Sequence, residues 1–376
     1  MKKNLLFVSC LLACGLVSLH TELATAQTPR QEYPRPQFER NVWQNLNGQW
    51  TFTFDFGKTG QDRNYPNSKG FDGKIIVPFC AESKLSGVAY TDFINSMWYQ
   101  RSITVPADWK GQNILLHFGA VDYEATIFID GQQVCKHYGS SSSFAVDITR
   151  YVKPGVPANL VIRVNDDLRS GKQPGGKQST LFHSYGCSYT RTTGIWQTDW
   201  MEPVHPEGLK QVIATPDIDQ KQLVIRPIFY EESMENTLTV TLLDGKKTVA
   251  QKTVNACNEN VIVLPIKNPK LWSPESPFLY DLTYTVTDKD GKVIDQVTSY
   301  AGMRKIHLSK GYFYLNNQPY YQRLVLDQGF YPDGIYTAPN VEELENDILR
   351  SKAMGFNGAR LHQKVLQLIC KTRYQE

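Results

Sequence analysis

Four polar residues in the last fifty positions stand where strand-like runs stop. Asp327 and Gln328 follow the apolar stretch YYQRLVL, and Arg360 and His362 close the stretch FNGARLH. A carboxylate, an amide, a guanidinium and an imidazole are the groups that hold vicinal hydroxyls. A site built to hydrogen-bond a hydroxyl discriminates strongly against a ligand that lacks it. The competing reading is a salt bridge for Arg360 and a structural hydrogen bond for His362. Asp327 has less reason to be structural, because it is a loop carboxylate directly after an apolar strand. There is no H-E-x-x-H run and no clustered Cys/His spacing, so neither a zinc site nor a cofactor is expected.

The segments around these residues must position them. YYQRLVL is nearly continuous in apolar character, the pattern of a strand buried on both faces. APNVEELENDILRSKAMG follows, with Asn340 placed to cap a helix and Glu343 three residues on. Val341, Leu344 and Ile348 mark one helical face, and Gly355 ends it. FNGARLH reads as a second strand. Strand, loop, helix, strand is a βαβ unit, the opening of a parallel α/β domain.

Upstream the pattern is β throughout. Residues 27–206 run as short strands such as QWTFTFDF, KIIVPF, SMWYQRSITVP, NILLHFGAV and NLVIRVNDD, which argue a β-sandwich. Asp130-Gly131 signals a hairpin, because a type I′ turn needs positive φ at both central residues. The stretch RSGKQPGGKQSTLFHSYGCSYTRTTG is too polar and glycine-rich for a strand. It reads as an ordered surface loop, and loops of that length inside a compact domain are often functional. Residues 207–301 carry about seven strands, with hairpins expected at Asp244-Gly245 and Asp290-Gly291, a pattern that fits an immunoglobulin-like sandwich. Trp98 and Trp196 read as core side chains rather than stacking platforms.

The chain has 376 residues, 41% apolar and 20% charged, with a net charge of +3. The mixed charge gives no nucleic-acid footprint. MKKN, the apolar run LLFVSCLLACGLVSL and the small-residue site ATA read as a signal peptide cleaved after Ala26, so export to the periplasm or the extracellular space is expected. Lipidation at Cys10 or Cys14 is the lesser alternative. No later run is long enough to span a bilayer. Five cysteines remain after the leader, namely Cys80, Cys135, Cys187, Cys257 and Cys370. Their scatter fits isolated buried thiols better than a disulfide framework.

Several stretches, in order, resemble the family 2 glycoside hydrolases. NLNGQW, VPFCAES, MWYQRSITVP, LHFGAVDYEATIFIDGQQV, FAVDITRYV and GIWQTDWME resemble the family's N-terminal, jelly-roll-like sugar-binding β-sandwich. PKLWSPESPFLYDL is similar to its immunoglobulin-like middle domain. GMRKI, GYFYLNNQPYYQRLVL and MGFNGARLH are similar to the start of its (β/α)8 TIM barrel, here residues 302–376.

The resemblance implies an exo-acting, retaining β-glycosidase lineage in carbohydrate metabolism, with a glycoside or oligosaccharide as substrate. In the family, one glutamate after the fourth barrel strand protonates the leaving oxygen, and another after the seventh attacks the anomeric carbon. Neither can be assigned in this chain. A whole barrel takes about 250 residues, and VLQLICKTRYQE continues neither a clean helix nor a third strand. A truncated reading frame without hydrolytic activity is therefore expected. A non-catalytic carbohydrate-binding β-sandwich protein is the alternative. Family members hold sugar hydroxyls around the first two strand ends, implying this for Asp327, Gln328, Arg360 and His362. They also point the long sandwich loop at the barrel mouth, which brings in Tyr189 and Arg191. Where the family commonly shows NRHE after the first strand, this chain has LDQG, and His362 comes one residue early within the family's NAVRxSH pattern. The usual sugar is therefore not implied.

Overall fold

The protein is described from a computed structural model over residues 28–363. The expected leader at residues 1–26 and the tail that includes Cys370 lie outside the described residues. The strands are Gln44–Asn45 (β1), Gly48–Phe54 (β2), Gly73–Val77 (β3), Ser96–Thr104 (β4), Asn113–Phe118 (β5), Val121–Asp122 (β6), Glu124–Ile129 (β7), Gln132–Tyr138 (β8), Phe144–Asp147 (β9), Pro157–Asn165 (β10), Gly194–Ile195 (β11) and Asp199–Val204 (β12). They form a six-stranded sheet ordered β3-β2-β4-β10-β7-β8, a four-stranded sheet ordered β1-β12-β5-β9, and a short β6–β11 pair. Alternate residues set the core, with Trp50, Ile75, Met97, Tyr99, Ile127 and Ile162 of the larger sheet meeting Ile114, Leu116, Phe118 and Met201 of the smaller.

The central strands β4 and β10 are covered on their outer face as well. Trp98, Phe128 and Val161 form a second cluster there, closed by Tyr65 and Phe71. The indole N–H of Trp98 donates to Asp55 at 2.9 Å, which satisfies the one polar atom such burial would otherwise strand. Both Trp98 and Trp196 are core side chains, as expected. The β7–β8 hairpin turns through Asp130 (φ 46°) and Gly131 (φ 81°).

Seven strands follow: Leu209–Asp217 (β13), Gln222–Phe229 (β14), Ser233–Asp244 (β15), Lys247–Ala256 (β16), Ile262–Pro265 (β17), Tyr280–Thr287 (β18) and Val293–Ala301 (β19). They pack as a β13-β14-β17 sheet against a β16-β15-β18-β19 sheet, the strand count of an immunoglobulin constant-type sandwich. Strict alternation along β18 sends Tyr280, Leu282, Tyr284 and Val286 inward. The two expected hairpins turn at Gly245 and Gly291.

The segment before β1 crosses to this second sandwich. Phe38 sits in its core, and Glu39 and Thr298 exchange backbone hydrogen bonds at 2.9 Å each. Beside them Arg40 forms a two-pronged pair with Asp295, Nε to Oδ1 and Nη2 to Oδ2 both at 2.9 Å, and reaches Glu202 of β12 at 3.3 Å. Glu202 also meets His117 of β5 at 3.0 Å and accepts from the Tyr33 hydroxyl at 2.9 Å. Burial alone would raise the Glu202 carboxyl, but His117, Arg40 and Tyr33 outweigh it and hold it below the ordinary glutamate value.

Beyond β19 lie a small antiparallel sheet, Ile306–Ser309 (β20), Tyr312–Leu315 (β21) and Gln318–Pro319 (β22), and then Leu324–Asp327 (β23), the helix Val341–Ala353 (α1) and Gly358–Leu361 (β24). β23 and β24 are parallel, with Leu324 opposite Gly358 and Asp327 opposite Leu361. The βαβ unit is therefore present. Asn340 caps α1 by accepting from the Glu343 N–H at 2.9 Å. One expectation fails: β23 is not buried on both faces, since Leu324 and Leu326 are 42% and 48% exposed. Among the described residues, the one helix beside β23 and β24 covers no more than one face of the pair. The same shortage leaves Ile348 exposed while Leu344, nearer the helix start, is buried. The thiols depart from expectation too. Cys80 is buried, Cys135 and Cys257 are half-buried, and Cys187 is exposed, because the last lies on the polar loop rather than in a strand.

Candidate functional site at the ends of the parallel strands

The chain leaving β23 is fastened to the first sandwich. Ile335 and Tyr336 pack with Cys80, Ala120 and Trp196, and Phe330 lies against them. Around this apolar contact the polar groups are matched. Ser83 donates its hydroxyl to the Asp333 carbonyl at 2.7 Å, and Thr337 donates to the carbonyls of Trp196 at 2.6 Å and Pro78 at 3.1 Å. Arg30 donates to the Ala338 carbonyl at 3.2 Å. This strap, residues 330–338, fixes where Asp327 and Gln328 can be.

The long loop between β10 and β11 meets the same place. The Tyr189 ring lies on Phe330 with centroids 4.2 Å apart. A Cβ at Gly176 would come within 2.9 Å of the Gln363 carbonyl, and φ there is +55°, so only glycine permits this approach. Asp327 accepts from the Gly329 N–H at 2.7 Å, and the His362 N–H donates to the Asp327 carbonyl at 2.9 Å. Gln328 turns a buried Oε1 inward that accepts no hydrogen bond. Partial desolvation, then the charges of Arg360 and Lys177, hold the His362 imidazole below its ordinary value.

The six residues singled out from sequence therefore divide. Asp327, Gln328 and His362 lie together at the ends of β23 and β24, and Tyr189 reaches the adjoining Phe330. Arg360 is exposed on β24 opposite Leu326. Since successive strand residues face opposite sides, it points away from the face that carries Asp327. Arg191 needs correcting. It is 2% exposed, and its guanidinium donates to the carbonyls of Ser179 at 3.3 Å, and of Leu181 and Thr91. A buried planar fork whose two terminal nitrogens are spent on main chain anchors a loop rather than meeting a hydroxyl. Lys177 and Phe330 were missed, because only tertiary packing brings them to His362 and Tyr189.

What the arrangement can do is present polar groups at the C-terminal ends of parallel strands, beneath a fixed loop. No pair of described carboxylates faces across this mouth, since Asp333 lies on the strap beside Lys84 and Asp347 accepts from the Tyr331 hydroxyl.

Residues 43–170 match the profile of glycosyl hydrolases family 2, sugar binding domain, and residues 211–304 match that of glycosyl hydrolases family 2. The chain belongs to glycosyl hydrolase family 2. Among curated relatives of this family, a β-glucuronidase of Paenibacillus borealis is 23% identical over 302 residues, 77% of this chain and 50% of the relative. A β-galactosidase of Thermoanaerobacter pseudethanolicus is 27% identical over 275 residues, 70% of this chain and 36% of the relative. The crystal structure of Ruminococcus gnavus β-glucuronidase shares the family 2 fold with a TM-score of 0.73 at 20% identity, over 88% of this chain and 56% of that one. The chain spans between a third and a half of the length of the curated relatives named here.

Proposed function

We propose that this chain is the substrate-framing part of an exported, retaining β-glycosidase. Residues 27–206 are its sugar-binding sandwich, 207–301 its immunoglobulin-like sandwich, and 302–376 the opening of its (β/α)8 barrel. The observation that carries the reading is the parallel β23–α1–β24 unit, clamped by its strap to a sandwich whose long loop stands over the strand ends. Ligand sites of α/β barrels lie at that end of the strands. Asp327, Gln328, Arg360, His362 and Tyr189 are the residues proposed to hold sugar hydroxyls. Two of the relatives named are β-glucuronidases and one is a β-galactosidase, so aryl glycosides of both sugars are the substrates to try.

Retaining hydrolysis requires an acid and a nucleophile about 5 Å apart across one bond, and this mouth offers Asp327 alone. The purified chain is therefore expected to show no turnover of aryl β-glucuronides or β-galactosides above buffer. Joined in frame to the remaining barrel strands of a family 2 relative, it is expected to turn over one of them, with His362→Ala raising KM. Turnover by the chain alone that disappears in Asp327→Asn would overturn this division of labour. Inactivity of the joined protein on every β-glycoside, together with glycan binding by residues 27–300, would favour the non-catalytic carbohydrate-binding reading.

A further inference from the structure

Three carboxylates lie buried under the long loop, from three different places in the first sandwich. Glu82 follows β3, Asp122 ends β6, and Asp166 follows β10; all are 5% exposed or less. Four hydrogen bonds to their side chains are donated by residues 173–193. Gln173 Nε2 and Thr193 Oγ1 donate to Asp166 at 2.7 and 2.8 Å, Gln178 Nε2 donates to Asp122 at 2.7 Å, and the Thr193 N–H donates to Glu82 at 3.1 Å. The loop is thus held to the sandwich through acids that are out of water.

The charge of those acids is not balanced. Glu82 Oε1 and Asp122 Oδ1 accept no hydrogen bond. Among the described residues no His, Cys, Asp and Glu group has metal-binding geometry. Among the described residues Arg191 is the one cation near Glu82 and Asp166, with Asp92 and Arg169 on its other sides, and its terminal N–H groups go to the carbonyls of Ser179, Leu181 and Thr91. The other titratable neighbours add no positive charge. Cys80 and Tyr99 face Glu82, Tyr336 faces Asp122, and Asp167 faces Asp166. A buried, unpaired charge in low dielectric is costly, and such a group keeps its proton instead.

We propose that Glu82, Asp122 and Asp166 form a proton-linked latch that holds loop 173–193 against the sandwich while they are protonated and loosens it as they ionise. The loop's N–H and O–H donors favour the ionised acids, but burial outweighs them and raises all three carboxyls, Glu82 to about 8 and Asp166 to about 6. In the unfolded chain they would ionise near 4.5 for the glutamate and 3.8 for the aspartates. The latch is therefore closed below the ordinary carboxylate range and weakens as pH climbs through it towards 8. Because Tyr189 rides on the same loop, the mouth would be framed at mildly acid pH and slack at alkaline pH. Only that consequence rests on the glycosidase reading; the latch itself does not.

Hydrogen exchange of the whole chain tests it, with protection expressed relative to the intrinsic rate at each pH. Between pH 5 and pH 9 the protection of residues 173–193 should fall by at least about tenfold, since one pK unit of differential protonation is a factor of ten. Peptides of β15 and β18 serve as the internal reference and should stay within about threefold. In Glu82→Gln combined with Asp122→Asn, which leaves Asp166 as the one acid of the three still able to ionise, the fall should be clearly smaller than in the wild type. Constant protection of the wild-type loop across this range overturns the latch. So does a loss shared equally by β15 and β18, or a fall as steep in the double variant. If the variant fails to fold, the wild-type arm still decides.

Discussion

At the scale of single residues, Arg40 is the side chain on which most depends. Its guanidinium satisfies Asp295, Glu202 and the Leu209 carbonyl at 2.6 Å, and it is buried at 5% exposure. Removing one partner of a buried pair leaves the other charge stranded. Arg40→Met should therefore cost roughly 3–5 kcal/mol in urea unfolding, and a change below about 1 kcal/mol would show that water reaches the site. Little of this was legible in sequence. Arg40 stands in a polar, proline-flanked stretch, and its partners lie 162 and 255 positions away. Side chains that spell out their own strand, such as Trp98 in SMWYQ, were legible as core. Arg191 was misplaced because its neighbours are loop-like; a polar loop gives no hint that its arginine turns inward to bind carbonyls.

At the scale of elements, hairpins and the helix were readable because their signals are local. Asp130-Gly131 and Asn340 act within four residues of themselves. The strap 330–338 was not readable, since its apolar residues follow no strand or helix period and its partners, Cys80 and Trp196, belong to distant turns. Its hold can be tested at Thr337, whose hydroxyl serves two buried carbonyls. Thr337→Val keeps the shape but deprives both acceptors, which should cost about 1–3 kcal/mol. Protease should then cut between β23 and α1 while the two sandwiches remain intact. Unchanged resistance there would mean that Ile335 and Tyr336 suffice. The acids of the latch had a faint signal, since each interrupts or ends an apolar run, in FCAES, AVDY and VNDD. Nothing in the sequence, however, brings those three runs together.

At the scale of the whole molecule, two buried groups of acids titrate in opposite senses. Glu202, held below its ordinary value of 4.5, contributes stability that is present above that value and lost as pH falls. The raised Glu82, Asp122 and Asp166 contribute stability that is lost as pH rises towards 8. Melting temperature should accordingly pass through a maximum on the acid side of neutrality. A melting curve still climbing between pH 7 and pH 9 would contradict that balance. The strap has a further consequence, in the order of synthesis. The first sandwich has all its strands once Val204 has left the ribosome, yet the residues that cover Cys80, Ala120 and Trp196 are made roughly 130 positions later, or roughly 7–26 s at ordinary rates of translation. For that interval a finished sandwich displays an uncovered apolar landing site to everything else in the cell. A nascent chain halted soon after the second sandwich should therefore recruit chaperones that a chain halted well past Ala338 no longer holds.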